Sequence, residues 1–150
     1  MAAPPDSIDS SYVLVCEKVL HERDNALSAI RLVDQLWVTA LPPDIPIDRT
    51  ATLVYFVGNV RFKPGVQDFT CDVQFQLIRP NGEVTPVGGL ETVSLGPNIA
   101  GSPASIAHIV HVGVIPRAMG VHYAVLLLDG NAVAKSSFTL LPRDKDPSEQ

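Results

Sequence analysis

The chain has 150 residues, of which 46% are hydrophobic and only 18% are charged. This length fits one domain with its own core, and the composition excludes an intrinsically disordered protein. The net charge is −5, with 11 basic and 16 acidic residues. No cluster of Lys or Arg is present, so the sequence lacks the basic surface that nucleic-acid binding requires.

The N-terminal residues do not resemble a targeting sequence. Met1–Ser10 contain Asp6 and Asp9 but no basic residue and no apolar segment. No apolar run reaches the roughly 20 residues that span a bilayer. We therefore expect a cytoplasmic protein with Cys16 and Cys71 reduced, and a disulfide between them if the chain is exported by another route.

A single domain is predicted between two frayed ends. Residues 1–11 form a polar lead, 12–142 the domain and 143–150 a charged tail. The first strand is predicted over Tyr12–His21, and its opening residues are apolar on both faces, as in a strand covered on both sides. Turn residues follow at Glu22–Asn25.

The segment Ala26–Val38 fits two interpretations that periodicity alone does not separate. The first is a helix behind an N-cap at Asp24 or Asn25. Its apolar positions at helical spacing are Ala26, Ala29, Ile30, Val33 and Trp37. The second is a strand with Asp34 as the exception on its apolar face. The residues of that face are Ile30, Leu32, Leu36 and Val38.

Two further strands are predicted after a proline-rich break at residues 39–46. The first lies within Thr50–Phe62, which is rich in β-branched and aromatic residues. In the second, Phe69–Leu77, apolar and polar side chains alternate, so one face is expected to enter the core. The residues of that core-facing stripe are Phe69, Cys71, Val73, Phe75 and Leu77.

Turn residues separate the strands that follow. Arg79–Gly82 is predicted to be a tight turn, because proline and glycine occupy the positions that such turns favour. Glu83–Leu95 is predicted to be a return strand with a bulge or a bend at Gly88–Gly89. A loop is expected over Gly96–Ser105 and a strand over Ile106–Ile115.

The C-terminal part of the domain is predicted to be a hairpin. Val121–Leu128 and Ala132–Leu140 flank Asp129–Gly130, a pair favoured in two-residue hairpin turns. The first strand is apolar on both faces and is expected to be a central strand covered on both sides. The residues of its two faces are Tyr123, Val125 and Leu127, and Ala124, Leu126 and Leu128. Leu127→Asp is accordingly expected to cost several kcal/mol.

Strands at this spacing, separated by turn residues, predict an all-β fold. The architecture that fits best is a single antiparallel β-sandwich of about eight strands, immunoglobulin-like or jelly-roll-like, with a barrel as the alternative.

His108 and His111 have a spacing that resembles a metal site. On a helix they would share a face, but on a strand they point to opposite faces and do not chelate one ion. The sequence leaves open whether His108, His111 and His122 converge in space.

The cysteines are the candidate nucleophiles. Cys16 has Glu17 and His21 nearby, but Cys16 and Cys71 both occupy apolar positions, which predicts buried thiols rather than reactive ones.

Two pairs of acidic residues are candidate calcium ligands: Asp44 with Asp48, and Asp144 with Asp146. They lack the glycine and the density of a calcium loop, so we interpret them as solvated acids. No phosphate-binding loop, nucleophile elbow or zinc helix is present in the sequence. We therefore predict no catalytic residue, no metal and no cofactor.

Four aromatic residues could form a face for a sugar or a peptide. Their positions within predicted strands favour core packing instead. These residues are Tyr12, Trp37, Tyr55 and Tyr123.

Three segments resemble a family of small bacterial all-β proteins to which no activity is assigned. The opening resembles the family's first hairpin, Phe75–Gly82 its central strand and turn, and Gly120–Leu140 its closing hairpin. The opening segment comprises Tyr12–Val19, Glu22–Asn25 and Leu27–Ile30. The chain departs from the family at Glu17, where aspartate is usual, and its second strand is less glycine-rich. The resemblance favours the strand interpretation of Ala26–Val38 and implies no catalytic residues.

Our functional hypothesis is a non-enzymatic interaction or accessory module that binds a protein partner or a second copy of itself, because the hydrophobic composition leaves apolar surface for an interface. Neither nucleic acid nor a membrane is expected as a partner. One alternative is a small-ligand or carbohydrate binder that uses Pro42–Asp48 and Gly96–Ser105. A structural component of a phage-like or other assembly is a further alternative, based on fold alone.

Overall fold

The computed structural model describes residues 5–21, 27–38, 52–97, 101–114 and 118–142. After a short 3-10 turn at Pro5–Ser7, these ranges consist almost entirely of strands. The strands are β1 (Ile8–His21), β2 (Leu27–Leu32), β3 (Gln35–Val38), β4 (Thr52–Phe62), β5 (Phe69–Ile78), β6 (Val84–Leu95), β7 (Ser105–Val114), β8 (Gly120–Leu128) and β9 (Asn131–Pro142).

The strands form two sheets packed face to face, so the predicted all-β sandwich is confirmed. The four-stranded sheet has the order β2-β1-β4-β7, and the five-stranded sheet has the order β3-β9-β8-β5-β6. All neighbours pair antiparallel except β3 and β9, which run parallel. No helix in the described residues is long and apolar enough to cross a membrane.

The ambiguous segment is β-structure, but it is two strands rather than one. β2 pairs with β1 in one sheet, and β3 pairs with β9 in the other. The chain changes sheets at Val33 and Asp34: Val33 N–H donates to Val15 O (2.7 Å), and Asp34 O accepts from Thr139 N–H (2.9 Å). The predicted single apolar face is therefore wrong, and Leu32 is 65% exposed.

The first strand is longer than the sequence suggested. β1 begins at Ile8 rather than Tyr12, and its first residue pairs with Phe62 at the end of β4. Residues 8–11, predicted as part of the lead, therefore belong to the sheet.

The core between the sheets contains all five phenylalanines of the chain. Phe56 of the four-stranded sheet meets Phe75 of the five-stranded sheet edge to face, with ring centroids 5.6 Å apart. Gly58 makes room for this packing, because a Cβ there would lie 2.9 Å from Phe75 Cζ and from Leu126 Cδ2. The remaining three are Phe62, Phe69 and Phe138.

The predicted turns at Arg79–Gly82 and Asp129–Gly130 and the alternating stripe are confirmed. Asp129 and Gly130 have φ values of 49° and 80°, as the hairpin turn requires. Gly82 N–H donates to Arg79 O (2.9 Å) in the predicted tight turn. Along β5, Phe69, Cys71, Val73, Phe75 and Leu77 are all buried.

β6 contains the predicted bulge at Gly88–Gly89. The register of β5 with β6 shifts between Val73 and Phe75. Residues 88–90 of β6 lie opposite Gln74 alone on β5. Gly88 has a φ of 72°, and a Cβ there would lie 2.7 Å from Val110 Cγ1. The bulge therefore brings the edge of one sheet against the edge of the other.

β8 is the central strand of the five-stranded sheet, as predicted. Its core-facing residues are Ala124, Leu126 and Leu128. On the outward face only Val125 is fully buried, whereas Tyr123 and Leu127 are half-buried. The predicted cover on both sides of the strand therefore holds for the core-facing residues and only in part for the outward ones.

Candidate interaction face

The most distinctive surface is the outward side of β1, β4 and β7. Alternate residues of these strands, such as Val13, Phe56 and Val112, enter the core, so the residues between them point outward. We call this surface the apolar outer face. Its residues are Tyr12, Leu14, Cys16, Leu53, Tyr55, Val57, Asn59, Ala107, Ile109 and His111, together with Leu32 of β2 opposite Cys16.

None of the residues of the apolar outer face is Asp, Glu, Lys or Arg. Among the residues that the structure describes, charged side chains stand only at the borders of this face. Arg61 lies at the end of β4, and Glu17 at the other end pairs with Arg31, with 3.5 Å between Oε2 and Nε. The face therefore has an uncharged centre and a charged rim, which is the distribution found in protein interfaces.

The large apolar side chains of this face are partly open to solvent. Tyr12 is 48% exposed and Leu53 is 58% exposed. Tyr55 and His111 stack, with ring centroids 4.3 Å apart and 8° between the ring planes. Val57 is buried in the middle of the face.

A small depression of about 70 Å³ lies on the apolar outer face. Tyr12, Leu14, Val57 and Asn59 line it, and Val19 and Ala29 continue it beyond the face. Ligand pockets are usually about 300–1,000 Å³, so this depression accommodates a side chain better than a whole small molecule.

The three histidines at positions 108, 111 and 122 do not converge. His111 is exposed on the outer face, whereas His108 is buried on the opposite face of the same strand, as predicted. His122 is buried in the other sheet and stacks on Phe138. In the described part of the chain, no three His, Cys, Asp or Glu residues are grouped to hold a metal ion.

His108 joins the edges of the two sheets. Its Nδ1 lies 2.9 Å from Glu91 Oε2 on β6, and its ring stacks on Phe75. The other ring nitrogen is buried without a hydrogen-bond partner in the described structure.

His122 is held by a local hydrogen bond. Its Nδ1 donates to Gly120 O at 3.0 Å. Burial lowers the pKa of His122, although the hydrogen bond to Gly120 opposes this effect. The folded domain therefore favours the neutral imidazole.

Both thiols are free and buried, as the apolar positions of Cys16 and Cys71 predicted. Burial raises the pKa of Cys16. For Cys71, burial and the carboxylates of Asp129 and Asp72 raise the pKa to about 11. Thiols in such environments are weak nucleophiles at neutral pH.

Several predicted residues lie outside the described residues. These are Glu22–Asn25, the proline-rich break at residues 39–46, Asp44 and Asp48, and Asp144 and Asp146. The backbone of His21 is part of β1, and its side chain lies outside the described structure. The Gly96–Ser105 loop is described except for residues 98–100.

The prediction that the four large aromatic residues pack in the core is wrong. Trp37 is 58% exposed at the edge of the five-stranded sheet, and Tyr123 lies on that sheet's outer side, with Lys135 Nζ 4.7 Å from its ring centroid. Tyr12 and Tyr55 share the apolar outer face. Phenylalanine thus fills the core, whereas the aromatic residues with a polar atom remain at the surface.

Neither a protein-family model nor a curated protein matches the sequence. The resemblance to a family of small bacterial proteins therefore stays a prediction. Its implication of an all-β fold is confirmed by the two sheets.

Solved structures resemble the fold. The CARDB domain of a Pyrococcus furiosus protein, solved with di-metal ions, has a TM-score of 0.50 and 14% identity and matches over 91% of this chain and 90% of that one. An immunoglobulin-like protein from Pseudomonas aeruginosa has a TM-score of 0.34 and 12% identity, over 88% of this chain and 97% of that one. A DNA-bound alkylpurine DNA glycosylase from Pseudomonas fluorescens has a TM-score of 0.41 and 16% identity, over 63% and 26%. The CARDB domain supports the sandwich fold, and the other two add no argument.

Proposed function

We propose that this domain is a non-enzymatic, cytoplasmic interaction module that binds a protein partner through its apolar outer face. The observation that carries the proposal is the uncharged, partly exposed surface around Tyr12, Leu53 and the Tyr55–His111 stack. A monomeric protein rarely leaves such a patch unused, because its burial against a partner releases ordered water and lowers the free energy.

The composition of the face indicates a protein rather than a sugar or a metal. Interface centres are depleted in charge and enriched in aromatic residues, and the apolar outer face has both properties. Its small depression fits one apolar side chain of a partner. Among the described candidates, Cys16 and Cys71 are buried, and His108, His111 and His122 do not converge, which supports a binding role.

The CARDB domain from Pyrococcus furiosus was solved with two metal ions. At 14% identity the similarity supports the fold alone and carries no metal binding over to this chain.

Differential capture tests the proposal. Leu53→Lys places a charge on the apolar outer face, at a side chain that is 58% exposed. Leu90→Lys is the matched control, because Leu90 lies on β6 and is similarly exposed, at 61%. We expect a specific protein to be captured by the parent and by the Leu90→Lys variant but not by the Leu53→Lys variant. With the purified partner, Leu53→Lys is expected to raise the Kd by at least about tenfold, since a buried unpaired charge costs more than 1.4 kcal/mol.

Tyr12→Lys is a second variant on the same face and is expected to have the same effect. Urea unfolding of all three variants controls for loss of structure. Equal capture by the parent and both face variants contradicts the proposal, and so does an absence of any protein that the parent enriches over Leu53→Lys.

The second candidate function is small-ligand binding at the depression beside Tyr12 and Asn59. A thermal-shift screen with sugars, nucleotides and divalent ions separates the two functions, because a ligand that binds only the folded state raises the Tm. A rise that Tyr12→Lys abolishes would favour the ligand, and no rise in any condition would favour the protein partner.

A further inference from the structure

The edge strands of the two sheets differ in how well they are protected from pairing with another chain. An edge strand exposes unpaired backbone N–H and C=O groups, and proteins usually protect it with proline, charge, a bulge or a short length. β6 contains Pro86 and the bulge at Gly88–Gly89. β2 has six residues and a positive φ of 56° at Arg31, and β3 has four residues.

β7 is an edge strand without these protections. It has ten residues, none of which is proline or charged Asp, Glu, Lys or Arg. It pairs with β4 in one unbroken register, from Thr52 opposite Val114 to Arg61 opposite Ser105. Within the described strands, β4 is its only neighbour.

The inner side of β7 is firmly attached to the opposite sheet. His108 contacts Glu91, and Val110 packs against the backbone at Gly88. Both contacts come from β6, which crosses the inner side of β7 and does not pair with its backbone. These contacts hold β7 in place while its outer backbone edge stays unpaired in the described structure.

We propose that β7 pairs antiparallel with β7 of a second copy, about a two-fold axis, to form one continuous eight-stranded sheet. The occupant is a second copy because each copy carries the same preformed, ten-residue edge strand, and a two-fold axis sets that strand against itself. Like charges placed opposite each other would oppose this pairing in a chain of net charge −5, but β7 contains no Asp, Glu, Lys or Arg. Two identical antiparallel strands also satisfy each other's backbone groups without any match of sequence.

The pairing preserves the two faces of the sheet. Antiparallel partners lie on the same face, so outward residues such as Ala107, Ile109 and His111 meet outward residues of the second copy. The two apolar outer faces then become continuous. The pairing itself does not depend on whether the apolar outer face binds a partner.

The proposal is tested by the mass of the protein in solution. We expect light scattering coupled to size exclusion to show twice the 16.1 kDa of one chain at high protein concentration. Ala107→Lys places an exposed charge on β7 in both copies and is expected to raise the dimer Kd on the order of tenfold. Leu53→Lys changes the apolar outer face without changing β7, and Leu90→Lys changes the protected edge, so both are expected to retain the dimer.

Amide hydrogen exchange provides a second measurement. Edge pairing is expected to protect alternate amides of β7 as the protein concentration rises, whereas face-to-face association does not protect them in this pattern. Three results overturn the proposal. The first is a protein that stays monomeric at all concentrations. The second is a dimer that is lost in Leu53→Lys but kept in Ala107→Lys, and the third is protection of the β7 amides by a different protein but not by higher concentrations of this one. The first and third leave the proposed function of the face intact, so the two proposals fail separately.

Discussion

On the outward side of the five-stranded sheet, polar side chains cover most of β5 and β9, whereas the outward side of the four-stranded sheet has no charge at its centre. The polar residues of the first face are Thr70, Asp72, Gln74, Gln76, Lys135, Ser137 and Thr139. An antiparallel sheet with one solvated face normally shows this apolar-inside, polar-outside alternation. The five-stranded sheet follows that rule, and the four-stranded sheet departs from it.

The departure supports the proposed role of the apolar outer face. Both sheets contribute similarly to the core, through Phe56 and Val60 on one side and Phe75 and Leu126 on the other. Folding stability therefore does not require Tyr12 or Leu53 to be apolar at the surface. Local departures from the pattern that folding favours tend to mark functional surfaces.

The largest expected effect separates the inner and outer sides of β8. Leu126 is 1% exposed between the sheets, and Leu127 is half-buried on the outer side. We expect Leu126→Asp to abolish cooperative unfolding or to remove more than about 3 kcal/mol, because it buries an unpaired charge. Leu127→Asp is expected to cost about 1–2 kcal/mol, less than the sequence suggested. Urea denaturation measures both, and equal losses would contradict the inner and outer assignment.

The second prediction concerns the hairpin turn beside the polar outer face. Asp129 Oδ1 accepts from Asp72 N–H (2.9 Å), and Asp129 N–H donates to Asp72 O (2.8 Å). Asp129→Ala is expected to cost about 2 kcal/mol, through the lost side-chain acceptor and the positive φ that alanine disfavours. Asp129→Asn keeps an acceptor and tolerates the positive φ, so a loss below about 0.5 kcal/mol is expected from it. Similar losses in the two variants would show that this contact does not order the turn.

Local sequence patterns predicted the elements whose conformation depends on near neighbours. The Asp129–Gly130 turn, the Gly88–Gly89 bulge and the alternating stripe of β5 follow from backbone sterics and a period of two. Each of these was confirmed at the residues predicted.

Long-range pairing was not predictable in the same way. The division of Ala26–Val38 into β2 and β3 depends on two strands that lie far apart in the sequence. β2 pairs with β1, and β3 pairs with β9. Nothing in the local pattern specifies which strand becomes the neighbour.

The apolar outer face was missed for a related reason. The segments Tyr12–Cys16 and Leu53–Val57 are apolar on both sides, a pattern typical of strands covered on both faces. The same pattern arises when one face is covered by the core and the other is left for a partner. The sequence does not distinguish these cases, so the tyrosines were assigned to the core.

The third prediction uses the buried histidine of the five-stranded sheet. Burial lowers the pKa of His122 in the folded state, so the unfolded chain binds the proton more readily as the pH falls through the ordinary histidine range. The contribution to stability is therefore complete above about pH 6.5 and is lost below it, by at most about 1.4 kcal/mol per pH unit. His122→Phe is expected to remove this part of the slope, measured by urea unfolding between pH 8 and pH 5 at about one-unit steps. Phe62→Leu keeps His122 and serves as the control, because Phe62 is fully buried on β4 and packs on Phe69 rather than on His122, so its loss is expected to lower stability without removing the slope. An unchanged slope in His122→Phe would assign the pH dependence to other groups.

The smallest expected effect compares one ring contact on each outer face. A double-mutant cycle of Tyr55→Ala and His111→Ala is expected to give a coupling of about 0.5–1 kcal/mol, because the rings stack at 4.3 Å. On the polar face, Tyr123 and Lys135 are expected to couple by about 0.5 kcal/mol, since the ammonium is partly hydrated. The second coupling depends on a charge and should weaken in about 1 M salt, whereas the first depends on ring contact and should persist. If both couplings changed equally with salt, the assignment of the Tyr123–Lys135 coupling to charge and of the Tyr55–His111 coupling to ring contact would be wrong.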